Sequence, residues 1–479
     1  MNISLMSNTG VAISPADELP APPLAVQRGR RGFATFMVLW AIVLLALVLV
    51  AIQSSAFRQA AAGREAVARV RAQWAARAGV EATIARLTQD TLSPNASSAT
   101  AVYSDLAAVA RGELGGTGAA ASATYSIRHF DGTQEVDGPE DAHAKLNVNV
   151  METADLIGLD GMDDTTAQSI YNWIHGVSET STEIGADEGN YTGLRYPYKP
   201  RGAPVRSLKE LELVQGVDPT LLRGEDANYN GRLDPGEDDA DASMPADNAD
   251  GIMDAGWSRY LTAVSEVDKP TSYGPSGTQK LDLRVASPSD ISQRLGVDQN
   301  QAQAISTHAA AGTATLADFV RTDLGTLAQT GAAATLLNGQ RQQSSVAGLT
   351  PDQLRLLLDE CVISSEVAAQ GLRSGKFNIN TIPREVLERF SRIEPEQMEM
   401  ILSERDARSG GFTSMADLLD IPDMTEATLA TLMGYMDVHS NVFVVSSRGK
   451  DRTTGIEVEV VAVIDRTSIP VVIRDLSVR

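Results

Sequence analysis

The residues best spaced for chemistry in this sequence are oxygen donors. Asp226-Ala227-Asn228-Tyr229-Asn230-Gly231-Arg232-Leu233-Asp234-Pro235-Gly236-Glu237 fits the twelve-residue EF-hand calcium loop at every key position. Asp226, Asn228 and Asn230 supply oxygens at loop positions one, three and five, and Gly231 permits the sharp turn. Arg232 would ligate through its carbonyl, Asp234 directly or through water, and Glu237 with both carboxylate oxygens. Ca2+ is therefore the expected cofactor, against the alternative of a merely solvated acidic loop. Pro235 and Gly236 would break an exiting helix, so the loop is EF-like in a setting that is not an EF-hand. A second stretch, Asp247-Asn248-Ala249-Asp250-Gly251-Ile252-Met253-Asp254, repeats the Asp-Gly turn without a suitable residue at position one or twelve. Asp247, Asp250 and Asp254 are its candidate ligands, an incomplete set to which other residues such as Asp238 or Asp239 would have to add.

No other grouping suggests chemistry. His129, His143, His175, His308 and His439 are scattered, and no pair has metal-binding helical spacing. The sequence holds no glycine-rich phosphate loop, nucleophile elbow or Cys/His pairing, so no enzyme is expected. Cys361 follows Leu356-Leu357-Leu358-Asp359-Glu360 and reads as a buried structural thiol. Being the only cysteine, it rules out an intramolecular disulfide and a multi-cysteine zinc cage. The 62 acidic against 40 basic residues give a net charge of -22, which repels phosphate backbones, so nucleic acid is not an expected partner.

The elements that must position the loop begin with an anchor. Residues 1 to 27 are polar and carry Pro15, Pro20, Pro22 and Pro23; Arg28-Gly29-Arg30-Arg31-Gly32 then abuts an apolar run from Phe33 to Ile52 with only Thr35 polar. At about 1.5 Å of rise per residue that run crosses a bilayer. The flanking arginines put the N-terminus in the cytoplasm and the bulk of the chain outside it. A secretory signal peptide would have a shorter apolar core and a small-residue cleavage site; a plain anchor is the other reading. From Arg58 to Leu87 there is no proline, and Val67, Val70, Trp74, Val80, Ile84 and Leu87 recur at three- and four-residue spacing. That predicts an amphipathic helix continuing the span, with Arg64, Arg69, Arg71 and Arg77 on its polar side. The whole segment resembles a type IV pilin-like leader and helix, which implies cleavage between Gly32 and Phe33. Where pilins of this kind carry Glu at the fifth mature position, this chain has Met37.

A module then recurs three times: Leu146-Asn147-Val148-Asn149-Val150, Leu281-Asp282-Leu283-Arg284-Val285 and Phe377-Asn378-Ile379-Asn380-Thr381 each lead into two short helices around a tight turn. Val205 to Leu211 parallels Phe412 to Leu418, and Thr315 to Val320 is a shorter echo. Together these look like helix-hairpin-helix units, a motif that in other settings binds DNA backbones; here acid flanks the turns, and a packing module is expected. Asn441 to Ser447 and Gly455 to Ile464 read as a hairpin separated by Arg448-Gly449-Lys450-Asp451, with Ala123 to Arg128 as a partner strand.

The order of these features is similar to that of protein K, a minor pseudopilin of the type II secretion system. Tyr196-Pro197-Tyr198-Lys199-Pro200, Ser207 to Leu211, Gly224 to Glu237 and Gly256 to Thr262 carry the resemblance over most of residues 28 to 465, with 266 to 350 appearing expanded. It implies an α+β chain: an N-terminal transmembrane pilin-like helix and a pseudopilin α/β domain with a large inserted α-helical domain. The segments are a leader at 1–32, helix at 33–95, sheet at 96–145 plus 438–479, and insertion at 146–437 with calcium loops at 226–257. Implied partners are other minor pseudopilins and the pseudopilus, the prepilin peptidase and the inner membrane, which the chain would cross once with its bulk in the periplasm. The lacking Glu, Met37 standing in its place, implies a position at the pseudopilus tip, where the protein would initiate assembly and help export folded proteins across the outer membrane. The rival reading is a membrane-anchored helix-hairpin-helix receptor for DNA uptake; an anchored hydrolase has no basis in the residues.

Overall fold

One helix, α1 (Arg31–Leu92), begins the part of the chain that the computed structural model describes: residues 31–479 without 96, 119–120, 177–183, 241, 245–246, 331–335, 338–339, 342–345, 365 and 367–374. Residues 1–30 of the expected leader, Arg28 to Arg30 included, lie outside it. Two compact units divide at Arg64 and Glu65. In the first, every large apolar side chain of the run from Phe33 to Ile52 is exposed, and α1 is long and apolar enough to cross a membrane.

In the second unit, residues 65–92 of α1 lie on an antiparallel sheet. Its strands are β1 (Arg111–Leu114), β2 (Ala123–Phe130), β3 (Glu135–Asp137), β4 (Glu140–Asp141), β5 (Val442–Asp451), β6 (Glu457–Asp465) and β7 (Val472–Val478). Their order is β1-β2-β5-β6-β7, with β3 on β2 and β4 on β5. Only the second half of the expected apolar stripe, Val80, Ile84 and Leu87, faces the sheet. Ala68, Ala72, Ala75, Ala76, Val80 and Leu87 are buried, whereas Val67, Val70 and Trp74 point away from the sheet at half exposure or more. Backbone approach decides this: a Cβ on Gly449 of β5 would lie 1.9 Å from the Ala72 carbonyl oxygen. Gly449 is therefore the point where helix and strand touch, and not part of the expected turn. Arg448 to Asp451 continue β5, each paired with β2, and the turn falls at residues 452–456 instead.

Between the two groups of strands, the described regular structure from 142 to 437 is mainly helical, with its own core. The three modules share one frame. Residues 146–147, 281–282 and 377–378 each form a two-residue parallel ladder, with 261–262, 361–362 and 436–437 respectively. Helices Thr153–Ile157 and Asp164–His175, Pro288–Leu295 and Gln299–Ala309, Arg384–Leu387 and Pro395–Ala407 follow the lead-in strands. In the first module Asn149 accepts from the Val205 N–H at 2.7 Å and donates to the carbonyls of Val205 and Ala263. Asn380 does the same in the third, toward Phe412 and Val438. The second has Arg284 at that position.

A buried carboxylate joins sheet to helices. Asp141 accepts hydroxyl protons from Tyr103 at 3.0 Å, Thr381 at 2.6 Å and Ser440 at 2.7 Å. Beside it His143 donates from Nδ1 to the Lys376 carbonyl and accepts the Asn441 N–H on Nε2. Burial holds its pKa below the ordinary histidine value, so the ring is neutral and structural.

Candidate metal centre

The first carboxylate loop hangs from a narrow neck. Asp218 caps helix Pro219–Arg223, accepting the Thr220 N–H, and Pro219 fits the first helical turn, where no N–H is needed. At the neck the Glu225 N–H donates to the Asp254 carbonyl at 2.7 Å. The approach is close enough that a Cβ on Gly224 (φ +56°) would fall 2.0 Å from that same oxygen.

Within the loop the predicted ligands face one another. Asp226 accepts the Asn230 and Gly231 N–H groups at 3.1 and 3.0 Å, and Gly231 takes the left-handed φ of +68° expected at loop position six. Asn228 and Asn230 both donate their amides to Asp234 Oδ2, at 2.9 and 3.1 Å. Glu237 turns back onto the loop, Oε1 accepting Ala227 N–H and Oε2 accepting Asp234 N–H, each at 3.0 Å. Asp226, Asn230, Arg232 and Glu237 are all buried. Tyr229 holds a φ of +58°, unusual for an aromatic residue, with its hydroxyl on Glu212 at 2.9 Å.

The electrostatics of this arrangement are unfavourable as they stand. Burial pushes the Asp226 carboxyl up to about 6, against the lowering effect of its two N–H partners. Burial, with the charges of Asp226 and Asp234 adding to it, pushes Glu237 up to about 7. Two carboxylates held this way are poised either to take protons or to share a cation. The donor set is all hard oxygen, which fits Ca2+. Two features require adjustment: Asn228 and Asn230 turn amide nitrogens toward Asp234, and no group of three Asp, Glu, His or Cys side chains forms a ready cage among the described residues. Rotating the two amides would present oxygens in place of nitrogens.

Sequence spacing could not place the groups that clamp this loop from the sheet. Asn230 donates to Glu459 of β6 at 3.0 Å, and Ser446 of β5 donates to the other Glu459 oxygen. Arg448 of β5 pairs with Asp234, Arg479 donates to Asn228 at 2.7 Å, and Phe130 N–H of β2 donates to the Gly231 carbonyl. Arg232, expected to act through its carbonyl, sinks its guanidinium beside Glu135 at 3.6 Å, with Nε and Nη1 making no hydrogen bond.

The second stretch is arranged differently. Asp247 accepts the N–H groups of Asp239, Ala240 and Ala249; Asp250 accepts that of Ile252; Asp254 that of Gly256; and Asp238 that of Gly251. The acid that belongs with this stretch is Glu225, whose Oε2 accepts the Asp254 N–H at 2.9 Å. Burial, with the Asp254 and Asp247 charges contributing, raises its pKa. Its only sequence signal was adjacency to Asp226. Gly32 lies in the first turn of α1, followed by an exposed Phe33.

Residues 140–224 match the family model described as type II secretion system (T2SS), protein K. No curated protein matches the chain. A chain in the crystal structure of the GspK-GspI-GspJ complex from the enterotoxigenic Escherichia coli type 2 secretion system is 13% identical. That match covers 87% of this chain and 99% of the other, with a TM-score of 0.37.

Proposed function

We propose that this chain is a minor pseudopilin of a type II secretion system and acts as a structural part of the pseudopilus. The family match over residues 140–224 carries the reading. The helix lying on a sheet, and the helical segment inserted between its strands, support it. Prepilin peptidase would cut between Gly32 and Phe33, and α1 would remain in the inner membrane with the bulk of the chain in the periplasm. Other minor pseudopilins are the natural partners. The exposed Val67, Val70 and Trp74, directed away from the sheet, are an apolar stripe suited to a neighbouring helix. Met37 leaves no carboxylate in the apolar run for a subunit above to pair with, which favours the tip, from which assembly would start and folded proteins be helped across the outer membrane. N-terminal sequencing of membrane-extracted protein tests the class: a mature chain starting at Phe33 is expected, and an intact leader would contradict it. Complementation of a secretion-deficient strain with Trp74→Glu tests the stripe; full secretion would remove it from the assembly.

The loop from Asp226 to Glu237 would hold Ca2+ through Asp226, Asn228, Asn230, Asp234, Glu237 and the Arg232 carbonyl. A bound cation neutralises carboxylates that are otherwise forced together. Asp247, Asp250 and Asp254, with Glu225, would hold a second ion only by giving up the backbone N–H groups that they accept. Because Glu459, Arg448 and Arg479 clamp the loop, ordering it would fix the helical insertion against the sheet. The repeats serve packing as helix-hairpin-helix units, and catalysis has no part in the proposal.

A further inference from the structure

Glu459 of β6 is 7% exposed and stands opposite Arg448 in the pairing of β5 with β6. Its Oε1 accepts the Ser446 hydroxyl at 2.8 Å and lies 3.5 Å from the Arg448 guanidinium. Its Oε2 faces the loop and accepts the Asn230 amide at 3.0 Å. The same amide nitrogen donates to Asp234 Oδ2 at 3.1 Å, so carboxylate oxygens from the sheet and from the loop converge on one atom. Asn228 repeats the pattern inside the loop. Its amide nitrogen lies 2.9 Å from Asp234 Oδ2 and 3.4 Å from Glu237 Oε1.

Neighbouring oxygens in a calcium shell lie about 2.7–3.7 Å apart, each within bonding distance of the ion. The contacts that Asn228 and Asn230 make with the three carboxylates all fall in that range. For the two asparagines to ligate, their amides must rotate, which puts an oxygen where each nitrogen stands. Asn230 then gives up the Arg232 N–H that its Oδ1 accepts at 2.8 Å, and Glu459 Oε2 faces an oxygen instead of a donor. A buried carboxylate oxygen left that way is costly unless a cation meets it. We propose that Glu459 Oε2 is itself a calcium ligand, so that the site is built from the loop and the sheet together. This assignment rests on the calcium reading of residues 226–237. Charge agrees with it: Asp226, Asp234, Glu237 and Glu459 are set against a divalent ion and Arg448, which pairs with Asp234. Shared ligation ties the inserted segment to β6 through the metal.

The full-length protein in detergent micelles is titrated with Tb3+, its emission excited through aromatic side chains such as Tyr229, and calcium is added to displace it. Emission lifetimes in H2O and D2O count the waters on the bound ion, using the part of the signal that Glu237→Gln removes. Two variants separate a ligand from a neighbour. Glu459→Gln keeps the reach and loses the charge; its amide can still hold the rotated Asn230 oxygen. Glu459→Asp keeps the charge on a stem one methylene shorter. A group acting by charge alone tolerates Asp, and one that only positions Asn230 tolerates Gln. A ligand tolerates neither, so both variants should bind calcium about tenfold more weakly or worse, and Glu459→Asp should admit at least one more water. A smaller loss of affinity in either variant, or an unchanged water count in Glu459→Asp, would overturn the assignment and leave the calcium reading standing. A native chain that takes up neither ion would remove both.

Discussion

The two carboxylate stretches have similar composition and are put to different uses. In the first, Asp226, Asp234 and Glu237 are drawn together through Asn228 and Asn230, and two of the acids are pushed well above their ordinary pKa. In the second, Asp250 and Asp254 each accept a backbone N–H of their own turn, and Asp247 accepts one from Ala249 and two from the preceding segment, Asp239 and Ala240. One stretch concentrates charge at an electrostatic cost that a cation would offset. The other consumes its charge locally, and three backbone groups hold the Asp247 pKa below its usual value although burial works against them. Shared residue types therefore do not imply shared chemistry; what counts is whether the oxygens face each other or the main chain.

The sharpest way to break the contrast is calcium itself. At about 100 times its dissociation constant, a bound ion should stabilise the folded chain by about 2.7 kcal/mol over the chelated form. Thermal unfolding should lose this gain entirely in Glu237→Gln and only in small part in Asp250→Asn. An unchanged melting temperature on adding chelator to the native chain would remove the calcium reading.

The pH dependence should come next in size. In chelator, acids whose folded pKa is raised contribute stability at low pH and lose it as pH rises through about 6 and 7, the values for Asp226 and Glu237. Native protein should therefore lose stability relative to Glu237→Gln between pH 5 and pH 8. With calcium present the sign reverses, because the ion needs both carboxylates ionised. The same slope in both variants would mean that Glu237 is not strained.

Asp247→Ala should cost about 1–2 kcal/mol through three orphaned N–H groups, with or without calcium. A calcium-dependent cost would instead make Asp247 a ligand. Smallest of all, Asp250→Ala, which removes one exposed cap, should stay within about 0.5 kcal/mol of the native chain.

The loop was legible because its ligands are local: twelve consecutive residues fix which oxygens can converge. The repeats were legible for the same reason, each set by a lead-in strand, a capped helix and a turn. Val67, Val70 and Trp74 share the spacing of the buried Val80 and Leu87 yet are exposed, because spacing identifies an apolar stripe without saying which partner it meets. Gly449 misled in the opposite way, a turn-like residue required by the backbone of α1. β7 and the strands β1, β3 and β4 are short or irregularly patterned, and they went unread.

By itself the sequence determined the membrane-length helix, the calcium-type loop, the threefold module and the strands at both ends. Those are matters of composition and near-neighbour spacing. Only the tertiary structure decided that Glu225 sides with the second stretch and that Glu459 and Arg448 grip the first. Each of those depends on segments up to 229 residues apart being brought within hydrogen-bond reach. Contacts of that range are fixed by packing of the sheet against the inserted helices, for which no local pattern stands in.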